Sequence, residues 1–541
     1  MKVLLVTSRA ASSIVREIVE DLKKQYSGIE VAVYVVDYPT VASSFTVDAL
    51  KKQVPVDVIR KHDIVIVPGL TRGDLSKWSE SMGVPIYKGT IHAVDIPLVI
   101  EALMNGIELS KKMPADYVLR ERIKSTLRDL IARERSKNNV VINYNGIRIT
   151  DRSPPIIIIS EIPPQTSINE SIELAERYEE EGADIIVVGS NSKDPEETIV
   201  KISKIGSFVN KPLGIDTNNP KEIIKALNKG VDIVFSLGRD MILRLKDYSK
   251  QAIYAIIPDK GYEDPWNINE RVYSILENIE LAEKQGFDKI IVDPILGPLP
   301  LGFTPSLIVF HELKKRRPET PLVFSASNVV ESLEADTHGV LAALAGMAFE
   351  VGASLFHIVE DAPYEYMNVA EARVALAMAE VAYARKSQER NLGINLLVLK
   401  DNRVIRYKPI ASKKIIRIER VLGPRIDRAG FFRIIVDRKN DSIEVGFFKY
   451  GSGEEAELKI TGGHALSIGR RILEEIPEIS KQHVLYLGYE LARAEIALRL
   501  GKNYIQDEEL FEPIPEKLEM VEKIVYKDKD AASNDNKEVH G

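Results

Sequence analysis

Asp216 and Asp293 each end an apolar run of this 541-residue chain, in "PLGIDT" and "DKIIVD". A carboxylate left alone against apolar surroundings is very costly, so each needs donors to pair with. Two readings satisfy that need. One is a salt bridge to a neighbouring Arg or Lys. The other is a flat heterocycle with adjacent N–H and NH2 groups, such as the 2-amino-4-oxo ring of a pterin or guanine, which matches a carboxylate bidentately. Asn191 and Asn328 close two further apolar runs and favour the ligand. The Asn and Pro after "GIDT" have an ordinary task, capping and opening the next helix. His357, inside "SLFHIVED", has the chemistry of an acid, a base or a metal ligand, yet a lone His there is more often a satisfied structural residue. Cations near these positions are few: Lys193, Arg239 and Lys260. "SASNVVES" lacks the glycines that cradle a phosphate, and no His-x-His spacing offers a metal site.

The elements that must position these residues recur regularly. From residue 153 eight apolar runs follow one another, "PIIIIS", "DIIVVGS", "PLGIDT", "DIVFSL", "AIYAII", "DKIIVD", "PLVFSAS" and "SLFHIVED", each bounded by a helical pattern. A spacing of roughly 20 to 36 residues is the length of one βα unit. The pattern predicts an α/β fold, a (β/α)8 TIM barrel over residues 153–393, with a doubly wound sheet as the alternative because periodicity does not show closure. In a barrel the ligand site forms where the strands end, which gathers Ser160, Glu161, Ser190, Asn191, Asp216, Ser236, Asp259, Asp293, Ser325, Ser327, Asn328, His357, Glu360 and Asp361 at one mouth. Before it, residues 1–110 alternate strands and helices as a small Rossmann-like α/β domain. "TSRAASS" follows the first strand where a dinucleotide fingerprint would stand, so N-capping of the next helix is expected there. Residues 111–152 read as a charged helical connector. Residues 394–515, with strands in "INLLVL", "VIRYKP", "FFRIIVD" and "IEVGFFKY" and two helices, read as an α+β module, and 516–541 as a charged, disordered tail.

Composition excludes several classes. The chain has no cysteine, which removes disulfides, thiolate nucleophiles and thiolate metal sites. A balance of 73 Lys and Arg against 80 Asp and Glu gives no basic stripe for nucleic acid. No stretch reaches the roughly 18 apolar residues of a membrane span, so a cytoplasmic location is expected. Many Ile, Glu, Lys and Arg without Cys suit a thermophilic organism.

The motifs resemble the pterin-binding barrel superfamily of dihydropteroate synthase and the methyltetrahydrofolate-dependent corrinoid methyltransferases, over about residues 153–385. "GIDTNNP" is similar to the strand-three motif whose Asp holds the pterin, which implies that role for Asp216. "IIVDPILGPLPLGF" is similar to the strand-six Asp-Pro motif, which implies it for Asp293. "GADIIVVGS" resembles the second-strand motif, with Val187 at its acidic position. "SEIPPQTS" departs from the first-strand synthase motif that serves metal and pyrophosphate. "SASNVVES" departs from the Ser-Arg-Lys element of strand seven but is similar to a methyltransferase Ser-Asn-Val-Ser stretch, implying that Asn328 approaches the reactive side of the ring. Leu355 and His357 keep half of an Arg-x-His element, and Phe235 or Ser236 stands where strand four has Asn. As a whole the chain resembles the archaeal dihydropteroate synthase-related proteins. "YLGYELARAEIALRLGKNYIQDEEL" is similar to a segment of the multisubunit enzyme tetrahydromethanopterin S-methyltransferase.

The resemblance implies a pterin-binding transferase using a reduced pterin of tetrahydrofolate or tetrahydromethanopterin type. The implied binding set is Asp216, Asp293, Asn191, Asn218, Ser236 and Asn328, the implied catalytic pair Asn328 and His357, with no metal ligand. Methyl transfer is favoured on motif grounds, with any corrinoid arriving on a separate protein. Condensation of a hydroxymethyl-dihydropterin diphosphate with an arylamine is the second reading, and a non-catalytic pterin carrier the third. A homodimer is the oligomer considered.

Overall fold

In this computed structural model the described residues are 1–26, 28–191, 195–261, 263–401, 413–418, 427–451, 453–511 and 514–521. The chain forms two compact units, Met1–Arg403 and Val404–Gly541.

In the first unit, strands β1 (Lys2–Ser8), β2 (Glu30–Val36), β3 (Ile64–Val67) and β4 (Ile86–Lys88) form a parallel sheet in the order β2-β1-β3-β4. Alternate residues of a strand point to opposite faces. Val3 and Leu5 accordingly join one apolar cluster with Val15 and Val19 of the first helix, while Leu4 and Val6 join another with Phe45 and Trp78. That first helix, Ser12–Gln25, has no side-chain cap; the Ser12 hydroxyl donates to the Arg9 carbonyl instead, against the expected N-cap.

The connector is only partly helical. After the helix Arg120–Arg135 come β5 (Val140–Tyr144) and β6 (Ile147–Thr150), an antiparallel hairpin turning at Asn145 and Gly146, whose φ angles are 47° and 84°. Asn-Gly between alternating apolar residues is a strong signal for such a left-handed two-residue turn, and it outweighs the charged helical reading. Ile142, Ile147 and Ile149 of the hairpin pack with the barrel's interior side chains Ile159, Ile185, Ile233, Ile253 and Leu355.

The barrel strands are β7 (Ile157–Ile162), β8 (Ile185–Gly189), β9 (Leu213–Asp216), β10 (Ile233–Leu237), β11 (Ile253–Ile256), β12 (Ile290–Val292), β13 (Val323–Ser325) and β14 (Leu355–Val359). They coincide with the eight apolar runs. All pair in parallel from β12 round to β13, and a parallel bridge between Val292 and Leu322, with the Val292 N–H 3.0 Å from the Pro321 carbonyl, closes the ring. The fold is therefore a (β/α)8 barrel, and the doubly wound alternative falls. Period-two alternation divides each strand: Ile158, Ile186, Val234 and Phe356 face the surrounding helices, whereas Ile159, Val187, Phe235 and Leu355 fill the interior.

The sheet domain and the barrel meet at a buried pair. Arg385, just past the last barrel helix, Asn368–Ala384, places a guanidinium nitrogen 3.4 Å from Asp95. Burial pushes the Asp95 carboxyl up to about 6, with Arg385 pulling it back down.

The second unit holds β15 (Phe431–Asp437), β16 (Ser442–Phe448) and β17 (Leu458–Gly462) in an antiparallel sheet with helices Ala465–Glu475 and Lys481–Leu500. Phe432, Ile434, Val445, Ile468 and Leu491 are among its core residues. Residues 394–399 form no strand, against the reading of "INLLVL". "VIRYKP" lies outside the described residues. A helix at Ile514–Val521 extends regular structure past the expected start of the tail, and residues 522–541 lie outside the described residues. Among the described residues no helix is long and apolar enough to cross a membrane.

Removing one partner of a buried pair strands the other charge, at a cost of about 3–5 kcal/mol. We expect Arg385→Met to lower stability in urea by that order at pH 8. The loss should be smaller at pH 5, where Asp95, with its folded value raised, already holds a proton. An equal loss at both pH values would show that the pair's charge is not the cause.

Candidate functional site

The interior alternation that buries isoleucine and valine along the barrel becomes polar two residues further on. Beyond Ile159 on the same face stands Glu161, beyond Val187 Gly189, beyond Ile291 Asp293, beyond Val323 Ser325 and beyond Leu355 His357. Asp216 ends β9 beside Gly189 and Phe235, its register partners. The C-terminal mouth is thus a ring of three carboxylates and an imidazole on an apolar floor, the end at which barrels carry ligands.

Each group is held by a neighbouring strand. The Ser236 hydroxyl donates to Asp216 Oδ1 at 2.6 Å. Ser236 has φ 67°, a left-handed conformation that costs a non-glycine residue energy and fits a positioning task. The Ser325 hydroxyl donates to Asp293 Oδ2 at 2.6 Å and the Ile295 N–H to Oδ1 at 2.7 Å. His357 Nδ1 meets the Ser327 hydroxyl at 3.1 Å. Its Nε2 lies 2.9 Å from Glu161 Oε2, an ionic contact without the alignment of a regular hydrogen bond. The His357 ring leans on Phe235, with centroids 5.7 Å apart.

Electrostatics follow from this crowding. Burial and then the Glu161 charge push the Asp216 carboxyl up to about 7, opposed by the Ser236 hydroxyl and His357. Burial also raises Asp293, against the pull of Ser325, the Ile295 N–H, His357 and Arg271. For His357, burial works to lower the imidazole, but the Glu161 contact with the Asp293 and Asp216 charges outweighs it and raises the group.

A cavity of about 370 Å³ opens here, lined by Glu161, Pro164, Ser190, Asn191, Asp216, Thr217, Asn218 and Ser236. It gathers four of the implied binding set, Asp216, Asn191, Asn218 and Ser236, with the strand-end residues Glu161 and Ser190. Asp293 and His357 stand beside it, coupled to Asp216 through charge. Asn328 is tied to the adjoining loop, donating from Nδ2 to the Leu296 carbonyl at 3.1 Å.

Other strand-end residues serve the scaffold. Asp259 accepts from the Arg239 N–H and from Asn278 Nδ2 at 2.7 Å, and Glu360 pairs with Arg177 at 2.6 Å. Asn219 caps the helix Pro220–Asn228 with Pro220 in its first turn, as expected. Of the expected rim cations, Lys193 lies outside the described residues.

Two groups near the mouth were not singled out in the sequence. The buried Arg271, on the helix Ile268–Lys284, donates to the Pro294 carbonyl and to Ser306, close enough for its charge to act on Asp293. Glu222 accepts from Ser190 at 2.8 Å and Thr217 at 2.6 Å, fixing the loops that carry Asn191 and Asn218. Both sit on helices, where strand-end reading does not look.

A larger cavity of about 540 Å³ lies at the opposite end, among Ile147, Arg148, Ile157, Ile185, Lys211 and Arg373. Its Arg373 and Arg135 are already paired with Asp184 and Glu380. Strand beginnings in a barrel serve stability, so the smaller, carboxylate-lined mouth is the better candidate. Among the described residues no group of three or more His, Asp or Glu is arranged to hold a metal ion.

These features define a TIM-barrel protein with a polar ligand mouth, flanked by a parallel α/β domain and carrying an α+β module. A protein of Methanocaldococcus jannaschii described as "Uncharacterized protein MJ0107" is 32% identical over 536 residues, covering 94% of this chain and 99% of the relative. The chain belongs to the same family, the dihydropteroate synthase-related family recognised from its motifs. The family model PterinBD-DUF4346 matches residues 426–507, the C-terminal sheet and its helices. Among solved structures, a Yersinia pestis dihydropteroate synthase with a pterine-sulfa conjugate is 16% identical at TM-score 0.37, covering 45% of this chain and 99% of that one. The Xanthomonas albilineans dihydropteroate synthase in complex with 7,8-dihydropteroate is 20% identical at TM-score 0.37, covering 46% and 99%. The barrel assignment rests on the closed strand order, not on these likenesses.

An acid whose folded value is raised contributes stability that is full below its unfolded value and lost as pH rises through the folded one. For Asp216 that window runs from about 4 to about 7. We expect Asp216→Asn to gain stability relative to the parent as pH rises from 4.5 to 7.5, read by urea unfolding. A constant difference across that range would contradict the raised value.

Proposed function

We propose that this protein is a pterin-binding transferase whose barrel mouth holds the pyrimidine edge of a reduced pterin. The observation that carries the reading is Asp216. Its Oδ1 is fixed by Ser236, while among the described residues Oδ2 takes no hydrogen bond and the side chain lines the cavity with Asn191 and Asn218. A carboxylate so presented pairs bidentately with adjacent N–H and NH2 groups. Donation from a ligand also offsets the burial and like charge that raise its pKa. The family membership and the name of the family model support the same ligand.

Asp293 is the second polar anchor, and Asn191 and Asn218 contribute amides at the rim. Within this reading, transfer of a methyl group from N5 is favoured over condensation with an arylamine. In methyl transfer the N5–carbon bond breaks with its electron pair left on nitrogen, a new bond forms from the methyl carbon to the acceptor, and a proton is needed at N5. Asn328, with one amide hydrogen committed to Leu296, keeps a second hydrogen for that side of the ring. His357, held 2.9 Å from Glu161, is the adjacent group able to exchange that proton. Catalysis of this kind comes mainly from positioning and placed dipoles. Condensation must stabilise a departing diphosphate, and among the described residues none that lines the cavity is basic. Arg271, engaged with Pro294 and Ser306, is the buried cation that reading would have to recruit.

Calorimetric titration with a methyl-tetrahydropterin tests the proposal. We expect binding that weakens at least about tenfold, or about 1.4 kcal/mol, in Asp216→Asn and in Asp293→Asn. Asn328→Ala should lower turnover more than affinity. Unchanged affinity in both aspartate variants would remove the site.

A further inference from the structure

We propose that Glu161 is the specificity-determining residue of the mouth, a fixed carboxylate that admits a pterin with an uncharged or cationic substituent and turns away one bearing phosphate. The inference rests on the pterin reading above and adds the class of substrate.

Three observations support it. First, Glu161 is a lining residue placed by the strand itself, on the interior face two positions beyond Ile159 and paired in register with Val187 and Val359. Second, its position is over-determined: Oε2 is held 2.9 Å from His357 Nε2, and Oε1 lies over Gly189, where any Cβ would overlap it. A residue with a side chain at 189 would displace the carboxylate. Third, the carboxylate is not consumed by the scaffold. Asp259 and Glu222 accept bonds that cap or tie loops, whereas Glu161 Oε1 has no hydrogen bond among the described residues and His357 is its only charged contact there.

The field around it is negative. Glu161, Asp216 and Asp293 come from three strands, and Glu331 lies close enough to feel the charges of Glu161 and His357. The positive groups that act on these carboxylates include His357 and, behind Pro294, Arg271, while the buried Lys201 is engaged with the carbonyl of Pro164 at 3.0 Å. A phosphate brought to such a mouth meets like charge with no basic side chain among the described lining residues, whereas a neutral or protonated amine substituent does not. Specificity of this sort comes from a repulsive element against the competitor. A unit charge within a few ångströms at intermediate dielectric is enough to change affinity by about tenfold or more.

The matched probes are 6-hydroxymethyl-7,8-dihydropterin and its diphosphate, the latter with and without magnesium, titrated into the full chain. The parent protein should prefer the phosphate-free ligand by at least about tenfold. Glu161→Gln should bring the ratio close to one. Glu161→Asp, which keeps the charge but withdraws it by a methylene, should fall between, and it carries the test if the Gln variant does not fold. A parent that binds the diphosphate as tightly, or a ratio left at the parental value in both variants, overturns the role of Glu161 while the pterin site stands. Failure of the parent to bind either probe removes the pterin reading and this inference with it.

Discussion

Placing carboxylates at the end of an apolar barrel is the constraint around which the rest of the mouth is arranged. Asp216, Asp293 and Glu161 each follow interior residues that are almost wholly buried, so none keeps a full hydration shell. The structure offsets that loss strand by strand, with Ser236 for Asp216, Ser325 and the Ile295 N–H for Asp293, and His357 for Glu161. The compensation is partial. Asp216 is left with a raised pKa and an oxygen facing the cavity, which is the condition in which a ligand's donors contribute most. A fully satisfied carboxylate, as at Asp259, would gain little from binding anything.

Support for the mouth extends outward. Glu222 ties the loops after β8 and β9 through Ser190 and Thr217. Arg271 fixes the chain just beyond Asp293 through the Pro294 carbonyl. At the other end the β5–β6 hairpin packs Ile142, Ile147 and Ile149 against the interior side chains, which fills the barrel from its strand beginnings. The Arg385–Asp95 pair then joins the sheet domain to the end of the last barrel helix.

Much of this was legible in the residues. Each of the eight apolar runs became a strand because parallel barrel strands are buried on both faces and read as continuous Ile and Val. The terminal polar residue of each run located the mouth for the same reason. Closure was not legible, since a period of βα units is common to barrels and open sheets, and it took the Val292–Leu322 bridge to decide. "NYNGIRIT" carried a hairpin signal that the surrounding charge obscured. Ser236 reaches Asp216 only through a left-handed backbone, which no propensity argument for serine anticipates. The Glu161–His357 contact joins β7 to β14, neighbours in the barrel that lie almost at opposite ends of its sequence. "INLLVL" has the composition of a strand, but no strand forms there.

The central claim, that the carboxylate mouth holds a pterin by its pyrimidine edge, is tested most directly by a crystal structure of the full chain with a bound tetrahydropterin. The account predicts the ring's N–H and 2-amino group within hydrogen-bonding distance of Asp216, with Asp293 on the far side and the C6 substituent emerging past Glu161 and Asn328. A ring bound away from the strand ends, for instance in the groove beside Arg148 and Lys211, would contradict it.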